Sequence, residues 1–282
     1  MDEIFSIKTV KRKAHAKINL QLKILDKRPD GYHDIYTIMQ KISLCDELNI
    51  SILPAQRREI NIFCPGVNIP SEKNTAYKAA ALFFEHTGLL LCVNISIDKK
   101  IPSQAGLGGG SSDAAEVLLA LNEYCGFKLS ERELLGLAAR VGADVPFFVK
   151  NAPCAICEGK GERVKPTKFD LPGSFCLIAK PVCDVSTKQA YEDFDRLEAK
   201  SEPTPPDLSF FNDFEKVIFA KNENIREIKS LILGCGAAAA GLSGSGSALF
   251  GIFDCEKAAQ KCKKAVLDRA DVEFCGVYRF LD

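Results

Sequence analysis

The segment Pro102-Ser103-Gln104-Ala105-Gly106-Leu107-Gly108-Gly109-Gly110-Ser111-Ser112-Asp113 constrains the fold most, because four of the five positions 106 to 110 are glycine. Such a run lets the backbone approach a ligand closely and take conformations that side chains forbid. The residues before it, Leu91 to Asp98, read as a strand, and those after it, Ser111 to Tyr124, place Ala114, Val117, Leu118 and Leu121 on one face of a helix. A helix that opens at the end of a glycine loop offers unpaired N–H groups and the positive end of its dipole, so the segment predicts a phosphate site. Ser111 and Ser112 are candidates to cap that helix, or to offer a hydroxyl to a phosphate-bound Mg²⁺. Two other phosphate motifs do not fit. A P-loop needs a lysine directly after its last glycine, and the dinucleotide fingerprint laid on Gly106, Gly108 and Ser111 lacks its third glycine.

Around this loop the chain reads as a large α+β protein. Its 282 residues are 46% hydrophobic and 26% charged, which supports a packed core and excludes disordered, collagen-like and coiled-coil classes. Lys and Arg number 37, as do Asp and Glu, so neither a nucleic acid nor an anionic membrane is an expected partner. The opening Met1-Asp2-Glu3-Ile4-Phe5 does not read as a secretory leader, and the expected location is the cytoplasm, with the twelve cysteines as reduced thiols. Cys154 and Cys157 have metal-like spacing without a second pair, and the strand-like alternation around them favours packing.

Alternation from Ala14 to Ile24 predicts a strand with Lys17, Asn19 and Lys23 on its polar face, and Asp30-Gly31 marks a turn before the apolar segment Ile35–Leu44. Further strands are expected at Asn49–Leu53 and Glu59–Cys64, and helices at 74–86 and from the capping box Ser130-Glu131-Arg132-Glu133 to Gly142. Ala143-Asp144-Val145-Pro146 reads as a short turn leading into Phe147-Phe148-Val149. A second series is expected after about residue 165: strands at 175–180, 240–243, 247–253 and 273–280, and helices at 187–199, 225–233 and 255–270. Proline-rich Lys200–Asp207 is a connector, and Gly244-Ser245-Gly246-Ser247 on its own reads as a hairpin turn.

Three of these segments in this order, the lysine-bearing strand Ala16-Lys17-Ile18-Asn19-Leu20, the glycine-serine loop and Leu242-Ser243-Gly244-Ser245-Gly246-Ser247, resemble the GHMP small-molecule kinases. The resemblance implies a two-domain GHMP kinase fold. An N-terminal domain over 1–165, like domain 2 of ribosomal protein S5, would carry the ATP loop and catalytic residues; a ferredoxin-like α+β domain would follow over 166–282. Asp30-Gly31-Tyr32-His33 and Gly142-Ala143-Asp144-Val145-Pro146-Phe147-Phe148 are similar to members that phosphorylate the 2-hydroxyl of a cytidylated methylerythritol in the non-mevalonate route to isoprenoid precursors.

On that resemblance ATP and Mg²⁺ are the expected cofactors. Lys17 and Asp144 would be catalytic, Asp144 taking or orienting the hydroxyl proton and Lys17 supplying the cation; alone, they would be a solvent-facing strand lysine and a turn or capping aspartate. The adenine would lie near Asn74 and Lys99, and the phosphates along Pro102, Ser103, Gln104, Ala105, Gly106, Leu107, Gly108, Gly109, Gly110, Ser111 and Ser112, with Ser112 as metal ligand. Relatives usually carry glycine where this chain has Gln104. Asn19, Gly244 and Ser245 would meet the substrate, whose cytosine would contact Tyr32 and His33 on one side and Tyr191 with Thr187 on the other. A GHMP kinase for another small alcohol, such as homoserine or mevalonate, would not need Tyr32 and His33; an inactive nucleotide-binding regulator would not need Lys17 and Asp144.

Overall fold

The structure, a computed structural model, describes residues 7–66, 69–197 and 210–282; the connector 200–207 and the end of the helix expected over 187–199 lie outside them. Two compact units emerge, each assembled from separate stretches of chain. The first comprises Met1–Ala16, Cys45–Ile101 and Gly108–Ala152, and the second Lys17–Leu44, Pro102–Leu107 and Pro153–Asp282, so residue 165 falls inside the second.

In the first unit, the later half of β2 (His33–Pro54) pairs antiparallel with β4 (Leu91–Asp98), Glu47 facing Asp98 and Pro54 facing Leu91. The short β3 (Glu59–Phe63) lies parallel to the far side of β4. Helices α1 (Thr75–Thr87), α2 (Gly109–Tyr124), α3 (Glu131–Val141) and α4 (Val145–Val149) pack on one another. Helix α1 buries Ala76, Ala79, Ala80, Phe83 and Phe84, the face expected from its periodicity, and ends at Gly88 in the left-handed region. Burial of each phenylalanine contributes about 1.5–3 kcal/mol, and the alanines let α2 approach closely. The capping box is present in full: Ser130 accepts from the Glu133 N–H and Glu133 returns a bond to Ser130.

The second unit holds two sheets. In one, β5 (Cys154–Gly159) pairs with the early half of β2 and with β6 (Arg163–Pro166), while β1 (Lys8–Lys27) lies on the other side of β2 and takes β8 (Phe211–Asn212) in parallel. The other sheet has the antiparallel order β11-β7-β10-β9, formed by Val272–Arg279, Phe175–Pro181, Leu249–Phe253 and Ala239–Leu242. Its helices are α5 (Thr187–Asp195), α6 (Glu215–Lys221), α7 (Glu223–Gly234) and α8 (Glu256–Leu267). Phe194, Phe214, Ile228, Ile232, Leu242 and Phe253 lie at the centre of their core.

Several expectations need correction. Helix α2 opens at Gly109, capped by the backbone of Gly108, so Ser111 and Ser112 sit within its first turn and neither caps it. Strand β2 is continuous where two strands were expected, because Asp46, wholly buried between them, finds partners for its charge. The polar face of β1 is not exposed: Lys17, Asn19, Gln21 and Lys23 are 3%, 2%, 0% and 4% accessible, so Lys17 is not a solvent-facing strand lysine. The run 145–149 is helical, and α6 was not anticipated. All twelve cysteines are free thiols, and Cys154 and Cys157 are buried on β5. Among the described residues no helix is long and apolar enough to cross a membrane.

Candidate active site

In the second unit the glycine loop and the late glycine turn meet. The turn joins β9 to β10, as a hairpin should, and it is also a wall for the loop. Ser243 Oγ donates to the Gly106 carbonyl at 2.9 Å, and Ala248 N–H donates to the Ala105 carbonyl at 3.2 Å. Gly106 has φ +74°, and a Cβ there would lie 2.0 Å from the Ser243 carbonyl oxygen, so only glycine fits. Gln104 also holds a left-handed φ of 54°, the conformation glycine adopts freely. Holding it with a side chain costs about 1 kcal/mol. Asn212, which sequence reasoning missed, donates from Nδ2 to the carbonyls of Leu242 at 2.7 Å and Gly244 at 2.8 Å, fixing the turn from behind.

Strand β1 brings its polar residues to the same place. Lys17 N–H donates to the Leu107 carbonyl at 3.0 Å, and Lys17 Nζ donates to Asn19 Oδ1 at 2.6 Å. Asn19 Nδ2 donates to Thr37 Oγ1 at 2.8 Å, and a Cβ on Gly244 would come within 3.6 Å of Asn19 Oδ1. The hydroxyls of Thr187 and Ser245 share a 2.7 Å hydrogen bond. Lys17, Asn19, Gly106, Leu107 and Gly244 are thus neighbours in space.

In the first unit the other part of the loop is clamped at its root. Gly109 is crowded, since a Cβ there would meet Ile101 at 3.0 Å and Lys99 Nζ at 3.2 Å, and the Gly110 carbonyl accepts from Thr75 Oγ1 at 2.6 Å. Lys99 Nζ donates to Asp46 Oδ2 and, at 2.9 Å, to Asp113 Oδ2. Asp46 Oδ1 accepts the N–H groups of Lys100 at 2.6 Å and Ile101 at 2.8 Å. This ionic cluster therefore ties the end of β4 to the first turn of α2. Asn74 caps α1, its side chain accepting from Ala76 N–H. Asp144 occupies the N-cap position of α4, yet its side chain makes no capping bond, so helix capping does not account for its carboxylate.

Burial alone would lower the Lys99 pKa, but the carboxylates of Asp113 and Asp46 outweigh it and raise it. Burial pushes Asp113 up to about 7, because two carboxylates share one ammonium and Asp113 Oδ1 is buried with no hydrogen-bond partner among the described residues. The folded protein thus keeps a proton on this group that the unfolded chain has already lost. The stability it contributes is full below about pH 4 and lost as pH rises through about 7. Urea unfolding of wild type and Asp113→Asn between pH 4 and 8 should show a decline over this window that the variant lacks; identical profiles would remove Asp113 from the account.

A cavity of about 470 Å³ in the second unit is lined by Lys27, Gly31, Tyr32, His33, Thr187 and Tyr191 among others. The His33 and Tyr191 rings stack with centroids 4.8 Å apart and planes 9° from parallel, and Tyr191 meets Phe214 edge-on. Tyr32 is exposed, with Lys160 Nζ 4.6 Å from its ring centroid. Aromatic faces beside an imidazole suit a planar heterocycle.

Residues 74–151 match the family profile of the GHMP kinases N terminal domain, and residues 192–271 that of the GHMP kinases C terminal domain. The chain is 38% identical over 258 residues to a 4-diphosphocytidyl-2-C-methyl-D-erythritol kinase from Geobacter sp. (strain M21), covering 88% of this chain and 90% of the relative. The chain belongs to the GHMP kinase family. An enzyme of the same name from Syntrophus aciditrophicus (strain SB) is 40% identical to this GHMP kinase over 259 residues, 88% of this chain and 91% of the other. A crystal structure of a 4-(cytidine 5'-diphospho)-2C-methyl-D-erythritol kinase superimposes with a TM-score of 0.80 at 32% identity, covering 96% of this chain and 99% of that one. A mevalonate kinase from L. major, at 16% identity and a TM-score of 0.68, shares the fold.

Within each unit of this GHMP kinase, the structure places beside the expected residues others that the sequence did not single out. Asp46 and Asp113 hold Lys99, Asn212 holds the late turn, and Asp195 accepts from His33. Asp113 belongs to the loop segment itself, where a carboxylate one turn into a helix with a lysine fourteen residues earlier was the available signal. Asp195 lies 162 residues from His33, and no local pattern links them.

Proposed function

We propose that this GHMP kinase transfers the γ-phosphoryl group of ATP to the 2-hydroxyl of 4-diphosphocytidyl-2-C-methyl-D-erythritol, a step of the non-mevalonate route to isoprenoid precursors. The observation that carries the reading is the cavity lined by the exposed Tyr32 ring and by His33 stacked on Tyr191, aromatic and imidazole groups that suit a base. Relatives of that name, alike over nearly nine-tenths of the chain, support it.

In the reaction the substrate oxygen forms a bond to the γ-phosphorus, the bond from that phosphorus to the β-bridging oxygen breaks, and ADP leaves. Asp144 accepts the hydroxyl proton, and the Lys17 ammonium balances charge developing on the oxygens. Asn19 orients the acceptor alcohol, and Gly106 to Gly110 present backbone N–H groups to the phosphates while Asn74 and Lys99 lie toward the nucleoside. Among the described residues no three His, Cys, Asp or Glu side chains cluster as a metal site, so Mg²⁺ bound with ATP would be held by phosphates, water and the Ser112 hydroxyl. There it would neutralise phosphate charge. Twelve free thiols suit a reducing cytoplasm.

The test is ADP release with Mg²⁺, ATP and the cytidylated alcohol, beside homoserine, mevalonate and galactose. Turnover confined to the cytidylated alcohol is the expected result. Turnover of one of the others in its place would move the substrate, and ATP binding without turnover of any would make the protein a regulator.

A further inference from the structure

His33, the first residue of β2, is held from two directions by α5. Tyr191 stacks on its face, fixing the ring plane, and Asp195, one turn further along the same helix, fixes rotation within that plane. His33 Nε2 lies 2.7 Å from Asp195 Oδ1, and the other carboxylate oxygen accepts from Lys27 Nζ at 2.6 Å. Burial would raise the Asp195 carboxyl, but its bonds from Lys27 and His33 outweigh that and hold it below the ordinary carboxylate range. It is an acceptor and nothing else, so Nε2 must carry the hydrogen. In the neutral imidazole the remaining nitrogen, Nδ1, is then an acceptor, and it has no hydrogen-bond partner among the described residues.

We infer that Asp195 is a positioning residue that sets the tautomer of His33 and so makes this cavity choose cytosine over uracil. The inference rests on the cytidylated substrate proposed above and supplies the means by which its base is read. Cytosine carries an exocyclic amino donor where uracil carries a carbonyl acceptor. An acceptor Nδ1 pairs with the first and faces the second lone pair to lone pair, leaving two desolvated acceptors unmatched. Such a mismatch discriminates roughly 10- to 100-fold.

The Asp195→Asn variant makes the idea testable, because Lys27, a donor, will claim the amide oxygen and leave the amide NH₂ facing His33. That arrangement requires Nε2 to accept and moves the hydrogen to Nδ1. With only three histidines in the chain, ¹⁵N spectra of the imidazoles can follow the tautomer in the full-length protein. Calorimetry with CDP and UDP, in the presence of a non-hydrolysable ATP analogue, measures the base preference independently of turnover. Wild type should show the Nε2–H form and bind CDP at least tenfold more tightly than UDP. Asp195→Asn should show the Nδ1–H form, with the preference cut at least tenfold or reversed, and Asp195→Ala should populate both tautomers and lower the preference without reversing it. An Nδ1–H form in wild type, equal binding of CDP and UDP by wild type, or an unchanged ratio in Asp195→Asn would each overturn the inference. Absence of turnover with the cytidylated alcohol would instead sink the proposed substrate, a result these two readouts do not depend on.

Discussion

Replacing Asp144 with asparagine is expected to lower the rate of phosphoryl transfer by about 10²–10⁴-fold while leaving ATP affinity within about threefold of wild type. The side chain keeps its size and one of its two oxygens, so packing at the start of α4 should survive. It loses the capacity to take a proton, which is what an attacking hydroxyl requires. The geometry sharpens the test, because the Asp144 side chain makes no capping bond to α4 and the substitution should therefore cost that helix little. Single-turnover measurements with saturating ATP and cytidylated alcohol, paired with a thermal melt, separate the outcomes. A rate close to wild type would remove Asp144 from the chemistry, and a large fall in melting temperature would assign it to the fold.

The second large effect is expected at Gly106, where even alanine should be disruptive. Its φ of +74° disfavours any side chain, and the added methyl would sit 2.0 Å from the Ser243 carbonyl oxygen, a backbone atom that cannot rotate away. Together the left-handed conformation and the overlap amount to roughly 2–5 kcal/mol. The loop can escape only by leaving the late glycine turn, so the Michaelis constant for ATP should rise along with the loss of stability. Gly236→Ala is the matched control: its φ is +92°, but nothing lies within 4 Å of the position a Cβ would take. It should show the conformational part alone, about 1–2 kcal/mol, with unchanged ATP kinetics. Equal effects at the two positions would mean that the contact between loop and turn contributes nothing.

How far the residues announced this arrangement depended on the range of the interactions involved. The glycine loop, the faces of α1 and α2 and the capping box at Ser130 were legible because each is written within a few turns of chain. Strand β1 was legible as a strand but not as a buried one. Alternation separates its two faces without saying that both are covered, which is why Lys23 reads as solvent-facing and is not. The gap between the apolar segment Ile35–Leu44 and the strand expected at Asn49–Leu53 closes for the same kind of reason, since Asp46 lies buried there and is received by Lys99 and two N–H groups. The start of α2 was placed two residues late because glycine disfavours helix, and here Ile101 and Lys99 crowd the place a side chain at Gly109 would take. Asp195 and Asn212 were beyond reach, because their partners lie 162 and 32 residues away.

The seam between the glycine loop and the late turn, sealed by Ser243 Oγ on Gly106 across 137 residues, sets an order of events during synthesis. While the ribosome is still making β9, residues 102–107 have no wall to lean on. Pairing of Gln21 with Phe211 has the same character, closing a loop of 190 residues that local contacts cannot anticipate. A nascent chain stalled before residue 243 therefore lacks the wall of its glycine loop. A protein truncated before residue 243 should therefore bind ATP more weakly than the full chain.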